Sequence, residues 1–230
     1  MKNQLVLSCV IPFFNESERL SQVIKVISRV KNIEQIICVD DGSKIDISSA
    51  IKKQFIKVKV IRLVQNRGKA EAIHEGLKAA NGKYILLLDA DLKNLKAYEV
   101  ENAINIFIQN PDIDMIILRR INASFQIKLN RGDTLFSGER ILKKSDLRKI
   151  IKEIRPDRFE IEIAINQFMM NNHKKVFWMS SSALNTYKIA KMGFFKGIVE
   201  DVPLILHLIR YIGIRNYLRQ MFTFCKQRAI

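Results

Sequence analysis

Between Gly82 and Leu92 the chain reads Lys83-Tyr84-Ile85-Leu86-Leu87-Leu88-Asp89-Ala90-Asp91-Leu92. An unbroken apolar run, with glycine before it and charge after it, predicts a strand covered on both faces. Burying ionised Asp89 and Asp91 without partners would cost on the order of several kcal/mol. They are therefore expected at the strand's carboxyl end, the edge where open α/β sheets bind ligands. Alternate residues of an extended segment share a face, so the spacing lets both carboxylates point the same way. Two hard oxygen donors suit Mg²⁺ or Mn²⁺. On this stretch alone, a strand-end turn with solvated carboxylates is the better-supported reading, and the rest of the chain has to change it.

The segments around it repeat one pattern. Leu5 to Phe14 is an apolar, β-branched run in which Pro12 marks the strand's end. Asn15 and Ser17 are expected to cap a helix over 18–30, with apolar Leu20, Val23, Ile24 and Ile27 at helical spacing. Ile36 to Val39 predicts a second strand ending at Asp40-Asp41-Gly42-Ser43. A helix over 46–56 and a strand over Val58 to Leu63 follow. Asn66-Arg67-Gly68-Lys69 opens a helix that Asn81-Gly82 closes, with Gly82 in the left-handed conformation. Val100 to Gln109 predicts a helix and Asp114 to Arg119 a strand. Such alternation predicts a mostly parallel sheet with helices on both faces. The glycine fingerprints of dinucleotide-binding enzymes and of P-loop ATPases are absent from this sequence.

After Arg120 the pattern loosens. Residues 121–135 are polar, Ile141-Leu142 is strand-like, and Ser145 and Asp146 open a helix. Phe159-Glu160-Ile161-Glu162 opens another, and Lys174 to Met179 predicts a late strand. The segment 201–230 is basic and amphipathic. The chain carries a formal charge of +16, which predicts an anionic partner. No aromatic–basic interleaving supports a nucleic acid in that role; an anionic membrane surface is the alternative the C-terminal segment raises. The three cysteines are scattered at 9, 38 and 225 and suit a reducing compartment. With neither a signal peptide nor an apolar stretch of about 18 residues in view, the expected location is cytoplasmic. A peripheral position on the inner face of the membrane is compatible with it.

Each strand end in the first half thus carries polar groups: Asn15-Glu16, Asp40-Asp41-Gly42-Ser43, Asn66-Arg67-Gly68-Lys69 and Asp89-x-Asp91. Together they describe a rim able to bind a nucleoside diphosphate, with carboxylates for base or ribose and Lys69 against phosphate. The ordered set Ile11-Pro12-Phe13-Phe14-Asn15-Glu16, Val39-Asp40-Asp41-Gly42-Ser43, Asn66-Arg67-Gly68-Lys69-Ala70 and Asp89-Ala90-Asp91-Leu92 resembles family 2 glycosyltransferases of the GT-A fold. The likeness is greatest to the branch of dolichyl- and polyprenyl-phosphate sugar transferases. It covers residues 4–120 and continues more loosely through Ser137-Gly138-Glu139-Arg140 and Phe159-Glu160-Ile161-Glu162.

The resemblance implies a GT-A type, Rossmann-like sheet in one domain over 1–230. Its parts would be a nucleotide-sugar-binding half (1–120), an acceptor-side half (121–200) and the basic C-terminal segment (201–230). It implies a UDP- or GDP-linked sugar donor, a divalent metal, and an acceptor that is a lipid phosphate, a glycan or a small molecule. Carried over, Pro12, Glu16 and Asp41 line the nucleoside, and Asp89 and Asp91 hold metal and diphosphate. Asn15, Asn66, Lys69 and Ala90 complete that rim. Glu162 is the first candidate general base, with a solvated helix charge as its alternative, and Asp133 the second. Arg131 and Arg140 are candidate grips on phosphate. Lys93 departs from the branch, where an amide or acid two places after the second aspartate helps hold metal; a charged lysine cannot ligate. Two other functions stay open: a sugar-phosphate nucleotidyltransferase, and a non-catalytic module that binds nucleotide or membrane.

Overall fold

The computed structural model describes residues 7–123, 127–128, 131–154, 156, 160–184 and 206–229. The expectations placed on Leu5, Asn130, Phe159, Asp201 and Leu204 lie outside these residues. The strands are β1 (Leu7–Phe13), β2 (Ile33–Asp40), β3 (Val58–Arg62), β4 (Tyr84–Leu87), β5 (Met115–Arg120), β6 (Arg140–Lys143) and β7 (Val176–Ser181). The helices are α1 (Glu18–Ile27), α2 (Ser48–Gln54), α3 (Lys69–Ala79), α4 (Ala97–Gln109), α5 (Gly132–Leu135), α6 (Lys144–Glu153), α7 (Ile161–Asn171) and α8 (Ile214–Thr223). Residues 206–212 are helical as well.

The strands form one seven-stranded sheet in the order β3-β2-β1-β4-β6-β5-β7. Only β6 runs against its neighbours, pairing antiparallel with β4 and β5. Strand residues alternate between two apolar clusters. Cys9, Ile11, Cys38, Leu86, Leu88, Ile116 and Leu118 face α1 and α4. Val10, Ile37, Val39, Ile85, Leu87, Met115 and Ile117 face α3, α6 and α7. Period-two alternation, with both faces apolar, is what a strand sandwiched between helix layers requires. The outer edge of β7 is covered in part by the C-terminal segment, where Trp178 N–H donates to Gln227 O at 3.0 Å and Ala229 N–H to Trp178 O at 2.9 Å.

Three local expectations are corrected. Pro12 does not end β1, which continues to Phe13, paired with Asp40. Asn15 caps no helix: it takes a left-handed φ of 53° and its side-chain oxygen accepts the Lys44 N–H at 2.9 Å. Nor is Gly82 left-handed. α3 gives way to an extended Ala80, and Gln35 closes it by donating to Ala79 O at 3.1 Å while accepting from Asn81 N–H at 2.9 Å. No helix among the described residues is long and apolar enough to cross a membrane.

Candidate active site

All the polar strand ends meet at the carboxyl edge of the parallel strands, because the strands share one direction and each turn leaves its strand at the same rim. At the end of β2, Asp40 is fully buried, accepting from Ser43 N–H and from Arg62 Nη1, both at 2.8 Å. Its neighbour Asp41 faces the next turn and accepts the Arg67 and Gly68 N–H groups, both at 2.8 Å. That carboxylate therefore straps the 65–68 loop to β2. Each oxygen keeps a second lone pair for a ligand. Gly42 is obligatory beneath the strap: its φ is +73° and a Cβ there would lie 2.5 Å from the Gln65 carbonyl carbon. Asn15 is tied into the same layer, its N–H donating to Ser43 Oγ at 2.8 Å.

The 65–68 loop delivers Lys69 to the first turn of α3. Its Nζ lies 2.5 Å from Asp89 Oδ1 and 2.6 Å from Glu162 Oε1. Three segments far apart in sequence therefore converge on one ammonium group. Burial pulls the Lys69 amine down, but the two carboxylates outweigh it and hold the group well above the ordinary lysine range. Asp89 has left the strand and Ala90 and Asp91 form a turn, so a shared strand face is not what relates the two carboxylates. Across that turn the charge of one acts on the other. Burial, with the Asp89 charge added, pushes the Asp91 carboxyl up. Gly138 explains how closely this turn is packed: a Cβ there would sit 2.3 Å from Asp89 Oδ1.

The donor set therefore fits a divalent cation. Two oxygen-bearing side chains on one turn repel each other, half-withdrawn from water, and a bound cation relieves that repulsion. Lys93, the departure noted in the sequence, is exposed, and its backbone forms a two-way bridge to Leu184 at 2.8 Å in each direction. Ala90 is buried within the turn. Pro12 is buried in β1, Glu16 pairs with Arg19 at 3.5 Å, and Asn66 is exposed.

Three expectations are corrected here. Asp133 is fully buried and held by Arg119 Nε at 2.5 Å, beneath the β5 end; a carboxylate locked in that pair is not placed to take an acceptor's proton. Arg140 does not grip phosphate. It is 1% exposed, and its guanidinium donates to Ser137 O at 2.7 Å, Asn166 Oδ1 at 2.6 Å, Leu135 O at 2.8 Å and Glu162 O at 3.2 Å. It fixes the backbone of α7 beside β6, and so positions Glu162. Arg131 is likewise spent, donating to Met221 O at 2.9 Å and Phe224 O at 2.7 Å at the end of α8.

One residue at the site lacked a sequence assignment. Glu139 is fully buried, accepts from Ser137 Oγ, and is pushed up first by burial and further by the Asp89 charge, with Arg120 opposing. The only sequence signal was the Ser-Gly-Glu-Arg string itself.

A strand-end rim of this kind defines a class, and comparison with known proteins gives the family. Residues 8–187 match the model of glycosyl transferase family 2, and the chain belongs to that family. A dolichyl-phosphate beta-glucosyltransferase of Dictyostelium discoideum is 35% identical over 103 residues, 39% of this chain and 32% of that protein. An undecaprenyl-phosphate 4-deoxy-4-formamido-L-arabinose transferase of Proteus mirabilis is 38% identical over 97 residues, 38% of this chain and 29% of that protein. The matches thus span about a third of the length of these curated relatives. Among solved structures, glucosyl-3-phosphoglycerate synthase of Mycobacterium tuberculosis, in complex with Mn²⁺, UDP and phosphoglyceric acid, aligns with a TM-score of 0.70 at 18% identity. It covers 91% of this chain and 79% of its own. The shared fold is the GT-A fold expected from the sequence.

Proposed function

We propose that the chain is a glycosyltransferase that moves a sugar from a UDP- or GDP-linked donor to a phosphate-bearing acceptor, with Mg²⁺ or Mn²⁺ assisting. The observation that carries the reading is Lys69, held between Asp89 and Glu162 at the strand-end rim. Pro12, Asn15, Glu16 and Asp41 form the nucleoside wall. Asn66 and Lys69 meet the phosphates, and Asp89, Ala90 and Asp91 form the floor, with the two aspartates as metal ligands. A divalent cation bound there supplies Lewis-acid neutralisation of a departing diphosphate. Lys69 adds a fixed positive charge on the same side. Glu162 holds Lys69 in line and faces the acceptor as the candidate base; a phosphate nucleophile is already ionised and needs no base.

The phosphate-bearing acceptor is supported from two directions. The two curated relatives described above are named for dolichyl and undecaprenyl phosphate, and the structural neighbour was solved with phosphoglyceric acid. We favour a lipid phosphate, which places the protein peripherally on the inner face of the membrane with an anionic lipid surface as its second partner.

Thermal denaturation with UDP, GDP and their sugars, with and without Mn²⁺, tests the reading. Stabilisation by a nucleoside diphosphate that requires metal, and that Asp91→Ala abolishes, is the expected result. A chain stabilised by no nucleotide would be a non-catalytic module of the same fold.

A further inference from the structure

Helix α8 presents an outward face that the transferase reading leaves without a role. Ile214, Leu218 and Phe222 recur at every fourth position and are 54%, 45% and 66% exposed. Residues at that spacing form one row along a helix. Arg215 and Arg219 are exposed in the adjacent row. The opposite face is anchored: Tyr217 and Gln220 are buried, and Gln220 Nε2 donates to Ile163 O at 3.3 Å and Gln167 Oε1 at 3.2 Å, while its own oxygen accepts from Asn166 Nδ2 at 3.2 Å. The helix is thus fixed to the protein by one side, with an apolar row and its flanking arginines turned to solvent.

Charge says what covers that row. From 206 to 229 the chain has no acidic residue and five basic ones, Arg210, Arg215, Arg219, Lys226 and Arg228. Leu206, 49% exposed, extends the same composition upstream. Large apolar side chains beside exposed cations, on a helix too short to span a bilayer, match the boundary between acyl chains and anionic headgroups.

We infer that α8 lies in the plane of an anionic lipid surface, with Ile214, Leu218 and Phe222 in the acyl boundary and Arg215 and Arg219 against lipid phosphates. The inference deepens the lipid-phosphate reading, since it names the surface on which such an acceptor would be met. Its link to the site is short. Gln220 bonds Asn166, Asn166 bonds Arg140, and Arg140 bonds Glu162 O, so the docked helix and the helix that carries Glu162 share one buried polar chain.

Sedimentation of the chain with phosphatidylcholine vesicles, with and without phosphatidylglycerol, tests it in the absence of any substrate. Wild type is expected to co-sediment with the anionic vesicles and to be released by salt. The triple variant Ile214→Ser, Leu218→Ser, Phe222→Ser is expected to lose about tenfold or more of that binding. Arg215→Gln with Arg219→Gln is expected to bind more weakly and with a shallower salt dependence. A cooperative thermal unfolding transition without ligand, at a midpoint close to wild type, serves as the folding control for each variant. Wild type left in the supernatant, or a triple variant that binds as well as wild type, overturns the inference. So does a triple variant that changes the oligomeric state in size-exclusion chromatography, which would assign the row to a second copy of the chain. Failure here leaves the nucleotide response intact, and failure of the nucleotide response leaves vesicle binding intact, so the two readings fall separately.

Discussion

Lys69, at the rim where α3 begins, and Arg140, inside the protein where β6 begins, are both cations largely withdrawn from water. Lys69 keeps 21% of its side chain exposed and faces two carboxylates. Arg140 is 1% exposed and faces neutral oxygens, three backbone carbonyls and the Asn166 amide. The chemical consequence is opposite in sign. Carboxylates hold the Lys69 amine above its ordinary range, while burial pushes the Arg140 guanidinium down to about 10. A cation matched by charge at an accessible edge can exchange partners when an anionic ligand arrives. A buried cation that gives four hydrogen bonds to fixed neutral oxygens holds a structure together and does little else.

That contrast fails or stands first on stability. Arg140→Ala strands four buried acceptors and empties a guanidinium-sized space, so it should cost about 3–5 kcal/mol in urea unfolding. Lys69→Met, at a half-open rim, should cost clearly less. A larger loss from Lys69→Met than from Arg140→Ala would reverse the assignment of roles.

The next test is on turnover. Lys69→Met should lower metal-dependent sugar transfer by about 10²–10³-fold, the scale of losing a fixed charge aimed at developing negative charge. Glu162→Gln is expected to be milder; a fall of about tenfold or more would mark it as a base for a hydroxyl acceptor, which the favoured lipid phosphate does not need. A smaller fall would leave Glu162 as a brace for Lys69 and remove it as a base.

The two cations also show what a sequence can carry. The strand and helix pattern was legible because burial repeats locally: Ile85 and Leu87 on one face, Leu86 and Leu88 on the other. The rim was legible because every parallel strand ends at one edge, so Asp41, Lys69 and Asp89 could be placed together without coordinates. The antiparallel course of β6 was not, since four residues have no directional signature. Neither was the fate of Arg140, Asp133 or Arg131. Whether an arginine meets a ligand or a carbonyl depends on segments 3 to 94 residues away, such as Ser137 for Arg140 and Cys225 for Arg131. Asp89-x-Asp91 shows the intermediate case. The carboxylates are at the strand end where the pattern put them, but a turn, not strand alternation, relates them.

The smallest expected effect concerns the charge on Lys69 itself. A base whose folded value is raised contributes stability that is complete below the ordinary lysine value and is lost only as pH climbs through the folded one. The bridge should therefore persist through mildly alkaline pH, and little free amine should be available there. Brief treatment with acetic anhydride near pH 9, read by peptide mass spectrometry, should modify Lys69 about tenfold more slowly than an exposed lysine such as Lys93. Poor access alone would also slow Lys69, and Glu162→Gln separates the causes. It removes one of the two charges that raise the amine while leaving the shape of the pocket. An increased rate in that variant marks electrostatics as the restraint. An unchanged rate would mean that Lys69, like Arg140, is protected by packing, and the contrast between rim and interior would lose its chemical content.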